Sequence, residues 1–357
     1  MIAAAQQAAK ATAPATTLKV GDPAPPISVM KWLKGRPVNL KDGKVHVVEF
    51  WATWCEPCKI GMPHLSELAG QYKGRVDFTG VSVREEEQMR DKSADSMPKV
   101  QRFVEHAHGM MAYNVAADGP AKTMMKTWMT AAGQHGIPTA FVVDQRGRIA
   151  WIGHPLMGLS EVLPLVLDHK LDKAATDRIA AEWQNNLKEG QQIFGDLQKA
   201  VTAKDFAKVI DLSDKMVAEM PFEVAFGAPM KYVALVNTDS AKAAKYANDA
   251  LKEYANSPIV LESFASMIAD DSSPITKRDY ALALKFLNGA QNCLEPDWSF
   301  AETYAEVCSK SGDASSAVKW EASALQSAES AGYPQKMLDD TQKKLDEYKA
   351  AAQHQGK

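Results

Sequence analysis

The sequence predicts an α/β unit with a mixed β-sheet in its first half, followed by an all-α unit of helical hairpins. In the first half, short apolar runs typical of strands alternate with helical patterns, and two late runs flank a tight-turn sequence. In the second half the strand signals vanish and small residues recur at helical spacing. We therefore expect a flexible leader at 1–17, an α/β domain at 18–171 and a helical domain at 172–354.

Four strands and two helices are predicted in the α/β domain. In chain order they are a strand at 44–51, a helix at 58–72, strands at 75–83, 139–144 and 148–152, and a helix at 159–171. The helix between the first two strands permits a parallel pair, whereas the short turn at 145–147 permits only a hairpin, so the sheet should be mixed. Between the strands at 75–83 and 139–144, Glu85, Glu86 and Glu87 are expected to start a solvated helix, because acidic residues are favoured at the N-terminal end of the helix dipole.

The helical domain is predicted from a recurring alanine pattern. Its lead residues are spaced by 36, 40 and 34 residues, and a proline follows each copy; they are Ala207, Ala243, Ala283 and Ala317. A period near 34, with a proline ending the second helix, resembles tetratricopeptide-type helix pairs. Such pairs bury their small-residue faces only by stacking, so we expect an array suited to holding a client or to self-association.

Composition and charge exclude several classes of protein. With 46% hydrophobic and 24% charged residues the chain has a globular composition, and a net charge of −3 gives no reason to expect nucleic acid as a partner. No apolar run approaches the roughly 18–20 residues of a membrane span. The N-terminal segment lacks a charged region followed by an apolar core, so an intact signal peptide is not expected within this chain.

Two of the four cysteines, Cys55 and Cys58, lie three residues apart between a predicted strand and a predicted helix. At a helix N-terminus the Cys55 thiolate is favoured, and Pro57 suits the first helical turn because its missing N–H would lack a partner there. Cys58 lies on the same face, within bonding distance. We expect an exposed Cys55 to attack a disulfide and a more buried Cys58 to resolve the mixed disulfide.

The cysteines also allow other interpretations. Half of a zinc site is one, but zinc needs four ligands and neither His46 nor His64 supplies a matching pair, so no metal is expected. Cys293 and Cys308 are expected to be buried thiols, with a structural disulfide as the alternative. Five methionines could fill the core or line a binding face; they are Met110, Met111, Met124, Met125 and Met129.

The run VEFWATWCEPCK at 48–59 resembles the active-site segment of thioredoxin-like proteins of the TlpA/ResA type. The segments at 20–25 and 136–144 resemble two further motifs of that family, in the same order, and the similarity covers about 18–170. The resemblance implies a thioredoxin-like fold and a thiol–disulfide oxidoreductase that uses its own disulfide and no other cofactor. It also implies protein dithiol or disulfide clients, a membrane or soluble thiol reductant, and a bacterial extracytoplasmic location in the periplasm or cell envelope.

The resemblance assigns roles to further positions. Pro138 corresponds to the family's cis-proline facing the cysteine pair, with an ordinary trans proline as the alternative, and it leaves the backbone of Ile137 free to pair with a client strand. Glu49 occupies the position of a buried acid that relays a proton to or from Cys58, with a solvent-exposed edge glutamate as the alternative. The expected client-binding residues are Trp54, Glu56, Pro57, Ile137 and Thr139.

Two departures from the family pattern bear on the direction of the reaction. Gly61 stands where relatives often carry glutamate, so any role of that acid is absent. Between the cysteines, Glu56 should raise the pKa of Cys55, whereas Lys59 acts in the opposite sense. A less stabilised thiolate makes a stronger reductant, which favours a reductase of protein disulfides. An oxidase or isomerase, and a helical scaffold whose redox domain only docks partners, remain alternatives.

Overall fold

The structure is a computed structural model that describes residues 17–88, 95–107, 109–293 and 296–355. The expected leader at 1–17 lies outside these residues except for Thr17. Within the described residues, no helix has both the length and the apolar character that crossing a bilayer requires.

Six strands form one mixed sheet in the described first half of the chain. They are β1 (Lys31–Lys34), β2 (Val45–Trp51), β3 (Val76–Ser82), β4 (Asn114–Ala117), β5 (Thr139–Val143) and β6 (Ile149–Gly153), in the spatial order β1-β4-β3-β2-β5-β6. The strands β2, β3 and β4 run parallel, and β1, β5 and β6 pair antiparallel with their neighbours. The mixed sheet and its four longer strands are confirmed. The four-residue β1 and β4 were not predicted because they are too short for alternation to be recognised.

Central strand β2 organises the packing, since all seven of its residues are buried. Val47 and Trp51 face a core shared with helix α1 (Glu56–Gln71), α2 (Met97–His106) and α3 (Leu159–Leu167). Val48 and Phe50 face a second core on the other side of the sheet. Four of the five methionines named above are fully buried in the α/β half, which favours the core-filling interpretation; they are Met110, Met111, Met124 and Met129.

The described residues of the second half form helices and no strand. The helices are α4 (Lys173–Thr202), α5 (Phe206–Glu219), α6 (Val224–Thr238), α7 (Ser240–Glu253), α8 (Pro258–Ala269), α9 (Tyr280–Gln291), α10 (Trp298–Lys310), α11 (Ala314–Ala331) and α12 (Gln335–Gln355). The four lead alanines fall on α5, α7, α9 and α11, every second helix. Helix α8 packs against α6, α9 and α10.

The prolines of the repeat do not end helices. Pro258 opens α8, and Pro221 opens a short 3-10 turn (Pro221–Glu223) ahead of α6. The prediction was wrong on this point because a proline is tolerated in the first turn of a helix, where its missing N–H would have no intrahelical partner. The proline therefore marks where the second helix of a pair begins.

The helical half packs directly on the α/β half. Helix α1, which begins at the cysteine pair, contacts α8 and the 3-10 turn at 221–223. Ile179 and Trp183 of α4 pack against the core that contains Cys55 and Cys58. The helices therefore contribute to the surroundings of the cysteine pair.

Candidate active site

The cysteine pair lies between the end of β2 and the start of α1. Cys55 is the N-cap residue of α1, and its sulfur accepts a hydrogen bond from the Cys58 backbone N–H at 3.3 Å. Pro57 occupies the first turn, as expected. The two cysteines form a disulfide, with their Cα atoms 5.2 Å apart. The pair therefore has the geometry of a reversible dithiol at a helix N-terminus, where the unpaired backbone N–H groups favour a thiolate.

The exposure of the pair differs from the expectation. Cys58 is 1% exposed and Cys55 only 4% exposed, so the predicted exposed thiol is nearly covered. The residues between them, Glu56 and Pro57, are exposed. Cys55 is still the more accessible of the two cysteines.

The Ile137–Pro138 peptide bond is cis. Strand β5 begins at the next residue, and Thr139 pairs with Phe50 near the end of β2. The cis bond therefore lies at the same edge of the sheet as the cysteine pair. Thr139 is buried, and its hydroxyl donates to the Gly136 carbonyl oxygen at 2.8 Å, so its side chain holds the loop before the proline.

Glu49 lies in the middle of β2 and is 2% exposed, so the alternative of a solvent-exposed edge glutamate is wrong. Its register partners are Gly80 on β3 and Ala140 on β5. Burial raises the pKa of Glu49 to about 8, because the charged form would lose its hydration. A carboxyl group with that pKa can exchange a proton near neutral pH.

Two polar groups lie beside Glu49 that the sequence analysis did not identify. The Tyr113 hydroxyl and the Trp51 indole N–H are buried without hydrogen-bond partners among the described residues, as is Glu49 Oε2. The pKa of Tyr113 is raised by burial and further by the charge of Glu49. A Cβ on Gly80 would lie 3.1 Å from both the Trp51 nitrogen and the Tyr113 ring, so glycine leaves room for this polar pocket.

Glu85 begins a short 3-10 helix (Glu85–Gln88), as expected, but it is only 4% exposed, so the expectation that it is solvated was wrong. It accepts hydrogen bonds from the Thr53 backbone N–H at 2.8 Å, the Thr53 hydroxyl at 2.6 Å and the Ser82 hydroxyl at 2.7 Å. Next to it, the Trp54 indole N–H donates to the Arg84 carbonyl oxygen at 3.0 Å. The segment after β3 therefore fixes the two residues before Cys55.

The helical half adds charges to the site. The Lys59 ammonium is buried and lies 3.5 Å from a carboxylate oxygen of Asp297, the N-cap residue of α10. On α8, burial raises the pKa of Glu262 to about 7, and the nearby carboxylates of Asp297 and Glu56 raise it further. The Ser299 hydroxyl and the Lys59 charge act in the opposite sense. No local sequence pattern could reveal the contact of Lys59 with Asp297, because the two residues lie 238 positions apart.

Other predicted residues have structural roles. Cys293 and Cys308 are buried free thiols, as expected. No cluster of three or more His, Cys, Asp or Glu side chains suited to a metal ion occurs in the described part of the chain.

Comparison with known proteins places this geometry in a family. The profile of the AhpC/TSA family matches residues 20–152. FixW of Rhizobium leguminosarum is 36% identical over 160 residues, which are 43% of this chain and 68% of FixW. The chain belongs to the AhpC/TSA family. Among the relatives of this AhpC/TSA protein, the thiol-disulfide oxidoreductase ResA of Bacillus cereus is 31% identical over 135 residues, 37% of this chain and 68% of ResA.

A solved thiol-disulfide isomerase from Corynebacterium glutamicum aligns with 43% of this chain and 98% of its own length, at 21% identity and a TM-score of 0.35. The residues matched by the family profile, 20–152, lie in the α/β half of the AhpC/TSA protein, which carries the disulfide. This AhpC/TSA protein is a thiol–disulfide oxidoreductase with a thioredoxin-like mixed sheet and a redox-active Cys55–Cys58 disulfide.

Proposed function

We propose that this oxidoreductase reduces protein disulfides. The observation that carries the direction is the set of carboxylates around the pair. Glu56 lies between the cysteines, Glu262 is close enough to Glu56 for their charges to interact, and Asp297 offsets the Lys59 ammonium that would otherwise stabilise a thiolate. Negative surroundings disfavour the Cys55 thiolate, and a dithiol whose reduced form is less stabilised is the stronger reductant.

The proposed cycle begins with both cysteines reduced. The Cys55 thiolate attacks one sulfur of a client disulfide, forms a Cys55–client disulfide and releases the other client sulfur as a thiolate. Cys58 then loses its proton and attacks Cys55, which releases the second client thiolate and leaves the Cys55–Cys58 disulfide. Two electrons and two protons from a dithiol reductant, membrane-bound or soluble, restore the starting state.

Glu49 is proposed to exchange the proton of Cys58. Its support is burial on the strand that leads to the pair and a pKa of about 8, which allows both protonation states near neutral pH. The Tyr113 hydroxyl and the Trp51 N–H lie beside this carboxyl group in an otherwise apolar core, and neither has a hydrogen-bond partner among the described residues.

The client is proposed to contact the edge of the sheet at which the cis bond lies. Trp54, Glu56 and Pro57 border Cys55, and a client strand would pair with the backbone of Ile137 ahead of the cis-proline. Thr139 contributes by holding that loop. Clients would be extracytoplasmic bacterial proteins with misoxidised cysteines, in the periplasm or cell envelope, by analogy with the TlpA/ResA type.

The deciding measurement is the reduction potential of the Cys55–Cys58 pair, equilibrated against dithiothreitol and glutathione buffers. We expect a value of about −270 mV or lower, in the range of thioredoxin. A value between about −180 and −120 mV would contradict the reductase and make the protein an oxidase or isomerase. In parallel, Cys58→Ser should accumulate client adducts through Cys55, whereas a Cys55→Ser, Cys58→Ser double variant should accumulate none.

A further inference from the structure

A groove in the helical half opens beside the cysteine pair. It has a volume of about 330 Å³ and is lined by α8 and by the starts of α6 and α10. Its border at the α/β half is Glu56, the residue that follows Cys55. A polypeptide whose cysteine reacts with Cys55 can therefore continue past the exposed Glu56 into this groove.

One face of α8 forms the floor of the groove. The α8 residues that line it are spaced at helical intervals; they are Ile259, Glu262, Ser263, Ser266, Met267 and, at the C-cap, Asp270. This stripe is about 16 Å long at 1.5 Å per residue, which matches about five residues of an extended chain. Hydroxyl and carboxylate groups along it can accept hydrogen bonds, so a backbone lying there would find polar partners.

The groove is acidic along its length. Glu56 lies at one end, Glu262 and Asp297 follow, and Asp270 lies at the other end of α8. None of the described residues that line the groove is basic. Lys59 and Asp297 form an ion pair at this groove, so the described acidic side chains without a basic partner there are Glu56, Glu262 and Asp270. Charge complementarity therefore selects an occupant with lysine or arginine side chains near its cysteine.

An aromatic pair borders the groove, with Phe226 half-buried and Phe194 exposed. Phe226 of α6 lines it and packs against Phe194 of α4, with ring centroids 5.2 Å apart. Phe194 is 40% exposed, which is unusual for a side chain of this size. With Met267 also in the lining, this end of the groove suits an apolar side chain.

We propose that this groove of the helical domain selects clients. Its occupant is an extended segment of an unfolded protein that contains a cysteine, with basic residues beside the cysteine and an apolar residue further along. The proposal deepens the proposed function and rests on it. The acidic stripe binds the cationic flank, the aromatic pair binds the apolar side chain, and the client cysteine is thereby placed at Cys55.

The test uses the full chain, pre-reduced, in single-turnover reactions with two synthetic peptides. Both carry one cysteine blocked as a disulfide with 2-mercaptoethanol and one leucine, and they differ only in having lysine or glutamate on both sides of the cysteine. We expect the half-saturating concentration of the lysine peptide to be lower by about tenfold, and the difference to shrink to about threefold or less in about 0.5 M salt.

The groove variant is Glu262→Gln combined with Asp270→Asn, and the matched control is Glu329→Gln, an exposed acid of α11 outside the groove. The tenfold ratio of the half-saturating concentrations of the two peptides should fall to about threefold or less in the groove variant and persist in the control. Because both peptides present the same disulfide, any change in the potential of the cysteine pair cancels in this ratio.

The outcomes separate the two proposals. If the wild-type protein exchanges with neither peptide, the proposed function fails. If it exchanges with both at equal half-saturating concentrations, the groove is not a selector of basic clients and only this inference is overturned. Retention of the ratio in the groove variant would also overturn it, because the preference would then arise elsewhere on the protein.

Discussion

Glu49 is a carboxyl group placed where the charged form is strongly disfavoured, on the strand that leads to the cysteine pair. Its pKa is raised from 4.5 to about 8, so between these values the native protein holds a proton that the unfolded chain has released. The contribution of this proton to the free energy of unfolding is fully present at low pH and is lost as pH rises through the pKa of the native state.

We expect Glu49→Gln to remove this pH dependence. In urea unfolding of the oxidised protein, the stability of the variant relative to wild type should improve by on the order of 3 kcal/mol between about pH 5 and pH 9. Glu329→Gln, an exposed control, should show no such trend. The rate of disulfide exchange in Glu49→Gln should also lose an inflection near pH 8, and an unchanged rate profile would rule out Glu49 as the proton carrier for Cys58.

Among single residues, the sequence identified those whose role depends on their near neighbours along the chain. Cys55, Pro57 and Cys58 act through spacing and helix position, so they could be identified without a structure. Glu85 could not, because its hydrogen-bond partner Thr53 lies 32 residues away and three consecutive acids look like a solvated surface. Tyr113 could not be identified from the sequence, because it precedes β4 and approaches Glu49 on β2 only across the intervening strand β3.

Most helices of the helical half that the structure describes begin with an aspartate as the N-cap residue. Among its described helices, six start at an aspartate whose side chain accepts a backbone N–H of the first turn; these caps are Asp172, Asp205, Asp239, Asp279, Asp297 and Asp313. The alanine period predicted the helix pairs but not where each helix begins. Aspartate ahead of an apolar helical pattern would have placed these starts to within a residue or two.

Asp205 offers the simplest test of these N-caps. Its carboxylate accepts a hydrogen bond from the Lys208 backbone N–H at 3.1 Å, and Asp205 is not among the residues that line the groove. We expect Asp205→Ala to lower the free energy of unfolding by about 1 kcal/mol. Asp205→Asn should be close to neutral, since asparagine caps a helix equally well. Equal destabilisation by both substitutions in chemical denaturation would show that the charge, and not the cap hydrogen bond, is responsible.

At the scale of the whole molecule, the contact between the two halves is the feature that the sequence did not reveal. Gly158, the N-cap residue of α3, has φ +103° and packs closely against the helical half. A Cβ there would lie 2.9 Å from the nearest side-chain carbon of Ile179 and 3.5 Å from Trp151. Glycine is therefore required both by the backbone and by the neighbouring helix α4.

We expect Gly158→Ala to destabilise the protein by about 2–3 kcal/mol, part from the positive φ and part from the displacement of α4. Gly74→Ala is the matched control, because Gly74 also has a positive φ, +82°, but a Cβ added there would meet no described atom within 4 Å. Thermal unfolding of the two variants separates the two contributions. Equal losses would mean that the contact between the halves contributes nothing at this position.

The two buried cysteines of the helical half have a consequence for a protein that carries out disulfide exchange. Burial raises the pKa of Cys293, and that of Cys308 to about 11. A thiol with a pKa of about 11 is ionised in only about one molecule in ten thousand at neutral pH, and exchange requires the thiolate. Burial therefore disfavours the thiolates of Cys293 and Cys308, and with them attack on the Cys55–Cys58 disulfide of the same chain.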